Sequence, residues 1–365
     1  MMAKTSNQKK KSGARSAPRL VHLALQGGGA YGAFTWGALD ALLQDSRIAF
    51  AGISGTSAGA LNAIALAHGW ACAQRDGADA AEEARVALAH VWRRVMGWGA
   101  IGKGLSYVSR LMLGALPASW SSVSPYQINP LDYNPLRELL VDMIDFDALA
   151  ELTLPRVFVT ATEVQTGRAE VFSGARLNAE AVIASCCLPQ LFRAPEIGGK
   201  TYWDGGYASN PALAPLIEMD ESDDILLIQI NPLRRRDTPI TAAAISERVN
   251  DLTFNASLIA QMRTVALVNS MIEQGVAPEG VRPIRMHRIG GYVPLDNELP
   301  AKTKALPQPT NVEKLFDRGA AAAKHWLRRH LASVGKKSSI DIQRDYGNPL
   351  RLDFGTPTPD ERHRD

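Results

Sequence analysis

The chain has 365 residues, of which 46% are hydrophobic and 21% charged, with a formal net charge of +3. That balance excludes an intrinsically disordered chain, supplies enough apolar material for a large core, and suits one α/β unit of this length. No window reaches the roughly 18 apolar residues that a membrane span needs; the best stretch, residues 61–73, is short and contains His68.

In chain order, residues 1–19 come first and carry Lys4, Lys9, Lys10, Lys11, Arg15 and Arg19 without a single acid. With almost nothing apolar to bury, this basic tail reads as disordered and solubilising. Its charge also suits peripheral contact with an anionic lipid surface, while nucleic acid is not an expected partner. No apolar run of signal-peptide length precedes the first strand candidate. The 3 cysteines, with Cys186 and Cys187 adjacent, offer neither a disulfide framework nor a metal-ligand spacing. A cytoplasmic protein is expected, although secretion without an N-terminal signal would leave the same sequence.

Short, nearly continuous apolar runs at 20–25, 48–53, 156–161, 169–172, 225–230 and 283–289 predict strands. Helical spacing predicts helices at 33–44, 58–73, 134–149, 211–218, 246–273 and 312–331. Strands buried on both faces and alternating with helices predict a three-layer α/β/α sandwich with a mainly parallel central sheet. One domain is expected over 20–332, with the chain from about Ser333 forming a C-terminal extension outside the core.

Gly27-Gly28-Gly29-Ala30-Tyr31-Gly32 closes the first strand and opens the first helix. Read from Gly27 it satisfies GxGxxG, but a dinucleotide site also needs an acid at the tip of the second strand. That tip here reads Ser-Gly-Thr-Ser-Ala-Gly, so no nucleotide cofactor is expected. Successive backbone N–H groups at such a turn equally suit the oxyanion of a tetrahedral intermediate. A tight turn without a ligand would look the same.

Gly55-Thr56-Ser57-Ala58-Gly59 fits G-x-S-x-G between an apolar strand and a helix, the setting in which a serine is presented as a nucleophile. The alternative is that Ser57 simply caps the helix. A serine hydroxyl needs a base. Of the 7 histidines only His287 has the chain order of a hydrolase triad, in a strand-like run without a catalytic-loop pattern. Asp204-Gly205-Gly206 follows the run Thr201-Tyr202-Trp203 and precedes Asn210-Pro211. Flanking glycines let such an aspartate reach across a cleft, or serve a simple turn.

Taken in order, these three pieces resemble the patatin-like phospholipase family: a glycine-rich loop, a G-x-S-x-G elbow and a distant D-G-G. A fourth piece, Ala184-Ser185-Cys186-Cys187-Leu188-Pro189, is also similar to the family. The resemblance spans residues 20–216. It implies a Ser–Asp dyad, with Ser57 as nucleophile and Asp204 as base, and lipid acyl hydrolysis without metal or cofactor. Carried over, backbone N–H groups of the Gly27, Gly28 and Gly29 loop, with Ala58, would form the oxyanion hole. Gly32, Gly55, Gly59, Gly205 and Gly206 would support these turns. Tyr31 stands where many members carry Arg or Lys, so the resemblance implies acyl-ester chemistry more directly than a phosphate-bearing substrate. Acyl transfer, a non-phospholipid ester, or a catalytically silent lipid- or partner-binding module are the competing readings, and oligomeric state is left open.

Residues 92–130 bear on substrate class. The stretch is dense in large apolar groups, among them Trp98, Leu111 and Met112, with glycines interspersed. A lid over an acyl pocket and ordinary core helices both fit that composition.

Overall fold

The computed structural model describes residues 17–100, 124–129, 131–235, 237–291 and 308–347, with backbone alone at 98–100, 128 and 243. The basic tail before residue 17, the side chain of Trp98, and Leu111 and Met112 lie outside the described residues.

Strands β1 (Arg19–Leu25), β2 (Ile48–Thr56), β3 (Arg156–Glu163), β7 (Asp224–Gln229) and β8 (Arg285–Gly290) form a parallel array in the order β3-β2-β1-β7-β8. Strands β4 (Ala169–Phe172), β5 (Glu196–Ile197) and β6 (Lys200–Asp204) add antiparallel pairings beyond it, so the sheet is mixed with a parallel centre. Side chains alternate across it as strand geometry requires. Leu23, Leu25, Leu226 and Ile228 enter one apolar cluster, while Ala24, Ile225 and Leu227 enter the other. Helices α1 (Gly32–Leu43), α2 (Ala58–Asp76) and α3 (Ala80–Ala100) cover the first face. The long α4 (Ala242–Glu273) covers the second through Leu258, Met262 and Val265. The expected three-layer α/β/α sandwich is the observed fold.

Several element bounds differ from expectation for local reasons. The helix expected over 134–149 is two, Pro135–Met143 and Phe146–Glu151, because Asp145 accepts the Ala148 N–H at 2.9 Å and starts the second. The helix expected over 211–218 is reduced to Ala214–Ile217. Helix α3 and the short helix Ala179–Ser185 have no counterpart among the predicted elements, nor do β5 and β6. Trp92, at the start of the apolar stretch 92–130, is a core residue whose Nε1–H donates to Asn62 at 3.0 Å.

The chain from about Ser333 is expected outside the core, and for residues 334–347, the described part of it, the structure corrects this. Val334, Ile342 and Tyr346 are buried, and Ile342 and Tyr346 join the cluster under α4. The Ser339 N–H donates to the Met286 carbonyl at 3.0 Å, and the Met286 N–H to the Ser338 hydroxyl at 3.1 Å. This segment therefore laces onto the outer side of β8, where an open ladder would otherwise leave backbone groups without partners. No helix among the described residues is long and apolar enough to cross a membrane.

Two glycines set the tightest helix contact on the first face. A side chain at Gly37 would run into the Phe316 backbone, and one at Gly319 into the Phe34 carbonyl, so α1 and the helix Pro309–Arg329 cross backbone to backbone. Gly319→Val is expected to cost about 1–3 kcal/mol or more in urea unfolding, because neither helix can retreat from a packed core. Gly97→Ala, on α3 where nothing among the described residues lies within 4 Å, should instead stabilise by about 0.5–1 kcal/mol through helix propensity.

Candidate active site

The site begins with a change of partner along β3. Residues Arg156–Thr160 pair with β2 up to Thr56, and Ala161–Glu163 then pair with β6 from Asp204 back to Tyr202. Strand β4 pairs with Val159–Thr162 and so occupies the opposite edge of β3. Strand β6 therefore takes over on the edge where β2 ends, and Asp204 arrives beside the residue that follows Thr56. That residue is Ser57. Hydrogen bonds lock the junction: Thr162 Oγ1 donates to the Asp204 carbonyl at 2.8 Å, Asp204 N–H to the Cys187 carbonyl at 2.7 Å, and Thr56 Oγ1 to the Ser209 carbonyl at 2.9 Å. Gly205 is required there, since a side chain would strike the Thr160 carbonyl and the Thr56 methyl.

Ser57 has φ 54° and ψ −124°, a backbone conformation that a side chain rarely adopts. A capping serine would sit in extended backbone and accept an N–H of the first turn; Ser57 makes no such bond. Its strained turn is possible because Gly55 and Gly59 meet backbone to backbone, and Gly59 also abuts the Leu25 carbonyl. The Ser57 N–H donates to the Ser185 hydroxyl at 2.9 Å, and the Ser57 hydroxyl lies between Asp204 and Cys186.

Asp204 has no exposed surface. Its Oδ1 accepts the Gly206 N–H at 2.8 Å, while Oδ2 is buried without a hydrogen bond. Burial raises its pKa to about 6, against the opposing pull of the Ser57 hydroxyl and the Gly206 N–H. A carboxylate of this basicity is ionised at neutral pH and able to take a proton. The neighbouring thiols are not competitors. Burial pushes Cys187 up to about 12 and Cys186 well above the usual thiol range, so neither supplies a thiolate.

The glycine loop lies against Ser57: a side chain at Gly27 would come within 2.7 Å of Ser57 Cβ, and one at Gly28 within 2.9 Å of Ile230. The structure corrects one expected donor. The Gly27 N–H is consumed by Asn210 Oδ1 at 2.7 Å and is not available to an oxyanion. Among the described residues the N–H groups of Gly28 and Gly29 meet no protein acceptor, and Ala58 opens α2, where first-turn N–H groups have no intrahelical partner. Asn210, Asn231 and Ser185, which hold this machinery, were not singled out as site residues in the sequence. Asn210 reads there as part of an Asn-Pro turn, Ser185 stands in the family-like run 184–189 without a role assigned to it, and nothing local marks Asn231.

Tyr31 is buried, with its hydroxyl 3.5 Å from Glu247 on α4. His287 is placed elsewhere. It is buried on β8, bonded to Asp224 at 2.9 Å and to the Ser339 hydroxyl at 3.0 Å. Asp224 opens β7, so this cluster sits toward the amino ends of the parallel strands, whereas Ser57 follows the carboxyl end of β2. Among the described residues no group of three potential metal ligands converges.

A family model described as Patatin-like phospholipase matches residues 23–217. No curated protein matches the chain. Among solved structures, VipD from Legionella pneumophila aligns over 90% of this chain and 72% of its own, with 15% identity and a TM-score of 0.37. A likeness that loose bears no weight for the site.

Burying Asp204 has a consequence for stability. Its raised pKa means that ionisation opposes folding: the cost is absent below pH 3.8, grows as pH rises, and is complete above about 6. Asp204→Asn is therefore expected to be more stable than wild type at pH 8, by up to about 3 kcal/mol, with the gain vanishing below about pH 4. Chemical denaturation of both proteins across that range checks it.

Proposed function

The chain belongs to the patatin-like phospholipase family, and from that membership we propose that it hydrolyses carboxylic acyl esters of lipids through a Ser57 acyl-enzyme with Asp204 as base. The observation that carries this reading is the juxtaposition of a strained serine turn with a fully buried carboxylate whose pKa lies near 6. A structural turn aspartate gains nothing from such burial, and a capping serine gains nothing from such strain.

In the proposed reaction Asp204 takes the hydroxyl proton as Ser57 Oγ attacks the ester carbonyl carbon. The carbonyl electrons move to oxygen, and the N–H groups of Gly28, Gly29 and Ala58 receive the oxyanion. Collapse of the tetrahedral intermediate expels the alcohol, which leaves with the proton held by Asp204. Water then loses a proton to the same carboxylate and attacks the acyl carbon. The second intermediate releases the carboxylic acid, and Ser57 recovers its proton. No second base is needed because one carboxylate serves both half-reactions.

The test is hydrolysis of a p-nitrophenyl ester series by wild type, Ser57→Ala and Asp204→Asn, with folding followed by circular dichroism. Both variants should lose activity by at least about a thousandfold while remaining folded. Wild-type kcat/KM should fall on the acid side with a midpoint near pH 6, since the base must be ionised in the free enzyme. Near-normal turnover by Asp204→Asn would sink the dyad, and an acid limb near pH 4 would show instead that burial does not raise the basicity of Asp204. Product analysis in the presence of alcohols separates hydrolysis from acyl transfer.

A further inference from the structure

A glycine loop is conformationally free, so the aim of its N–H groups must be imposed by what surrounds it. Gly27 is gripped at both of its backbone polar atoms, one in the peptide before it and one in the peptide that carries the Gly28 N–H. Its N–H donates to Asn210 Oδ1, and its carbonyl accepts from Asn231 Nδ2 at 2.7 Å and from Asn210 Nδ2 at 3.3 Å. Asn231 is itself held by Gln26, the residue preceding the loop: Gln26 Oε1 accepts the N–H groups of Ile230 at 3.0 Å and Asn231 at 2.8 Å. Gln26 Nε2 donates to Asn255 Oδ1 on α4 at 2.9 Å, and Asn255 Nδ2 donates to the Pro232 carbonyl at 3.1 Å.

From there the chain of hydrogen bonds leaves the site. Gln229 Nε2 donates to the Asn231 carbonyl at 3.1 Å and to Asn255 Oδ1 at 3.4 Å, and Gln229 Oε1 accepts the Tyr346 hydroxyl at 2.6 Å. Gln26, Asn210, Gln229, Asn231 and Asn255 are all at most 2% exposed, as is Tyr346. Five buried amides would be costly in an apolar site. Leucine or methionine at such positions would fill a similar volume with no polar group to satisfy, so the amides need a reason other than packing. Tyr346 lies on the C-terminal segment, well beyond the family-matched residues 23–217.

We propose that this network is a positioning device for the oxyanion loop, and that Tyr346 belongs to it: the C-terminal segment of this chain helps set the geometry in which Gly28 and Gly29 meet the substrate. The inference rests on the hydrolase reading above. Neither Asn231 nor Tyr346 touches the reacting atoms; both act through the backbone of Gly27. The network is closed around that residue, since Gln26 fixes Asn231 and Asn231 returns to the residue next to Gln26. A loop held this way loses aim rather than substrate affinity when a member is removed.

The experiment uses the full-length protein, with active sites counted by a fluorophosphonate label so that turnover is expressed per reactive Ser57. Wild type, Tyr346→Phe, Asn231→Ala and the double variant are assayed on one soluble p-nitrophenyl ester. Inhibition by a trifluoromethyl ketone, which forms an oxyanion on Ser57, is measured alongside. Turnover per labelled site should fall about 10-fold for Tyr346→Phe and about 100-fold for Asn231→Ala, with KM within about 2-fold of wild type. The ketone inhibition constant should rise in step. The double variant should resemble Asn231→Ala, because both substitutions cut the same chain. Turnover per labelled site unchanged in Tyr346→Phe, or losses that come without any change in ketone inhibition, would overturn the proposal and leave a purely structural network. If Asn231→Ala does not fold, Tyr346→Phe decides the matter alone. A wild type that neither turns over nor takes the label defeats the hydrolase reading and this inference together, whereas active wild type with an unaffected Tyr346→Phe defeats this inference only.

Discussion

Asp204 is a carboxylate held where water does not reach it, and much of the surrounding architecture exists to keep it there beside Ser57. A lone buried charge is among the most expensive things a protein can contain. Here the cost is moderated by the Gly206 N–H and by the nearby Ser57 hydroxyl, and it is not removed. The residue stays basic as a result. Strand β6 delivers it by replacing β2 along one edge of β3, so the relative placement of Asp204 and Ser57 is a property of strand pairing rather than of flexible loops. Backbone ladders are stiff, which is what the dyad proposed for these two residues would require.

Close approach is the second constraint. The glycine loop, the serine turn and the start of α2 pack so tightly that Gly27, Gly55 and Gly59 each face a neighbour that a side chain would strike. Such contacts bring the backbone of the loop close to Ser57, but glycine brings freedom as well as room. Asn210 and Asn231 take that freedom away by holding both backbone polar atoms of Gly27. With its N–H taken by Asn210, Gly27 leaves the N–H groups of Gly28 and Gly29 as those without an acceptor among the described residues.

The two apolar layers have separate tasks. Helices α1, α2 and α3 bury the first face of the sheet, and the glycine loop and serine turn sit at the amino ends of α1 and α2. Helix α4 and the C-terminal segment bury the second face and supply Asn255 and Tyr346 to the polar network behind the loop. At the other end of the parallel strands, Asp224 joins His287, Arg285 and Gly335 and fastens the same segment to β7 and β8. Its carboxyl is held down near 2 by these partners despite its burial. Two aspartates in one sheet thus have opposite pKa shifts because one is surrounded by donors and the other is not.

Local pattern was enough for most of the strands and the two glycine turns, and it marked Ser57 and Asp204 as the residues to place, because each of these writes itself in a short window: a run of apolar residues, a G-x-S-x-G between strand and helix, a D-G-G after an aromatic run. Composition likewise announced an α/β sandwich, since strands buried on both faces must be apolar throughout. What those windows could not contain were relations between distant residues. That Gly27 spends its N–H on Asn210, that His287 answers Asp224 instead of a serine nucleophile, and that the chain past Ser333 returns to the core all depend on contacts across more than 50 residues of sequence. The break at Asp145 escaped for a smaller reason: a capping aspartate inside a helical pattern looks like any other polar residue until its side chain turns back on the backbone. The chemistry of this protein is therefore legible one motif at a time. Its geometry, and the basicity of Asp204 that depends on burial from every side, arise when the sheet is closed and covered.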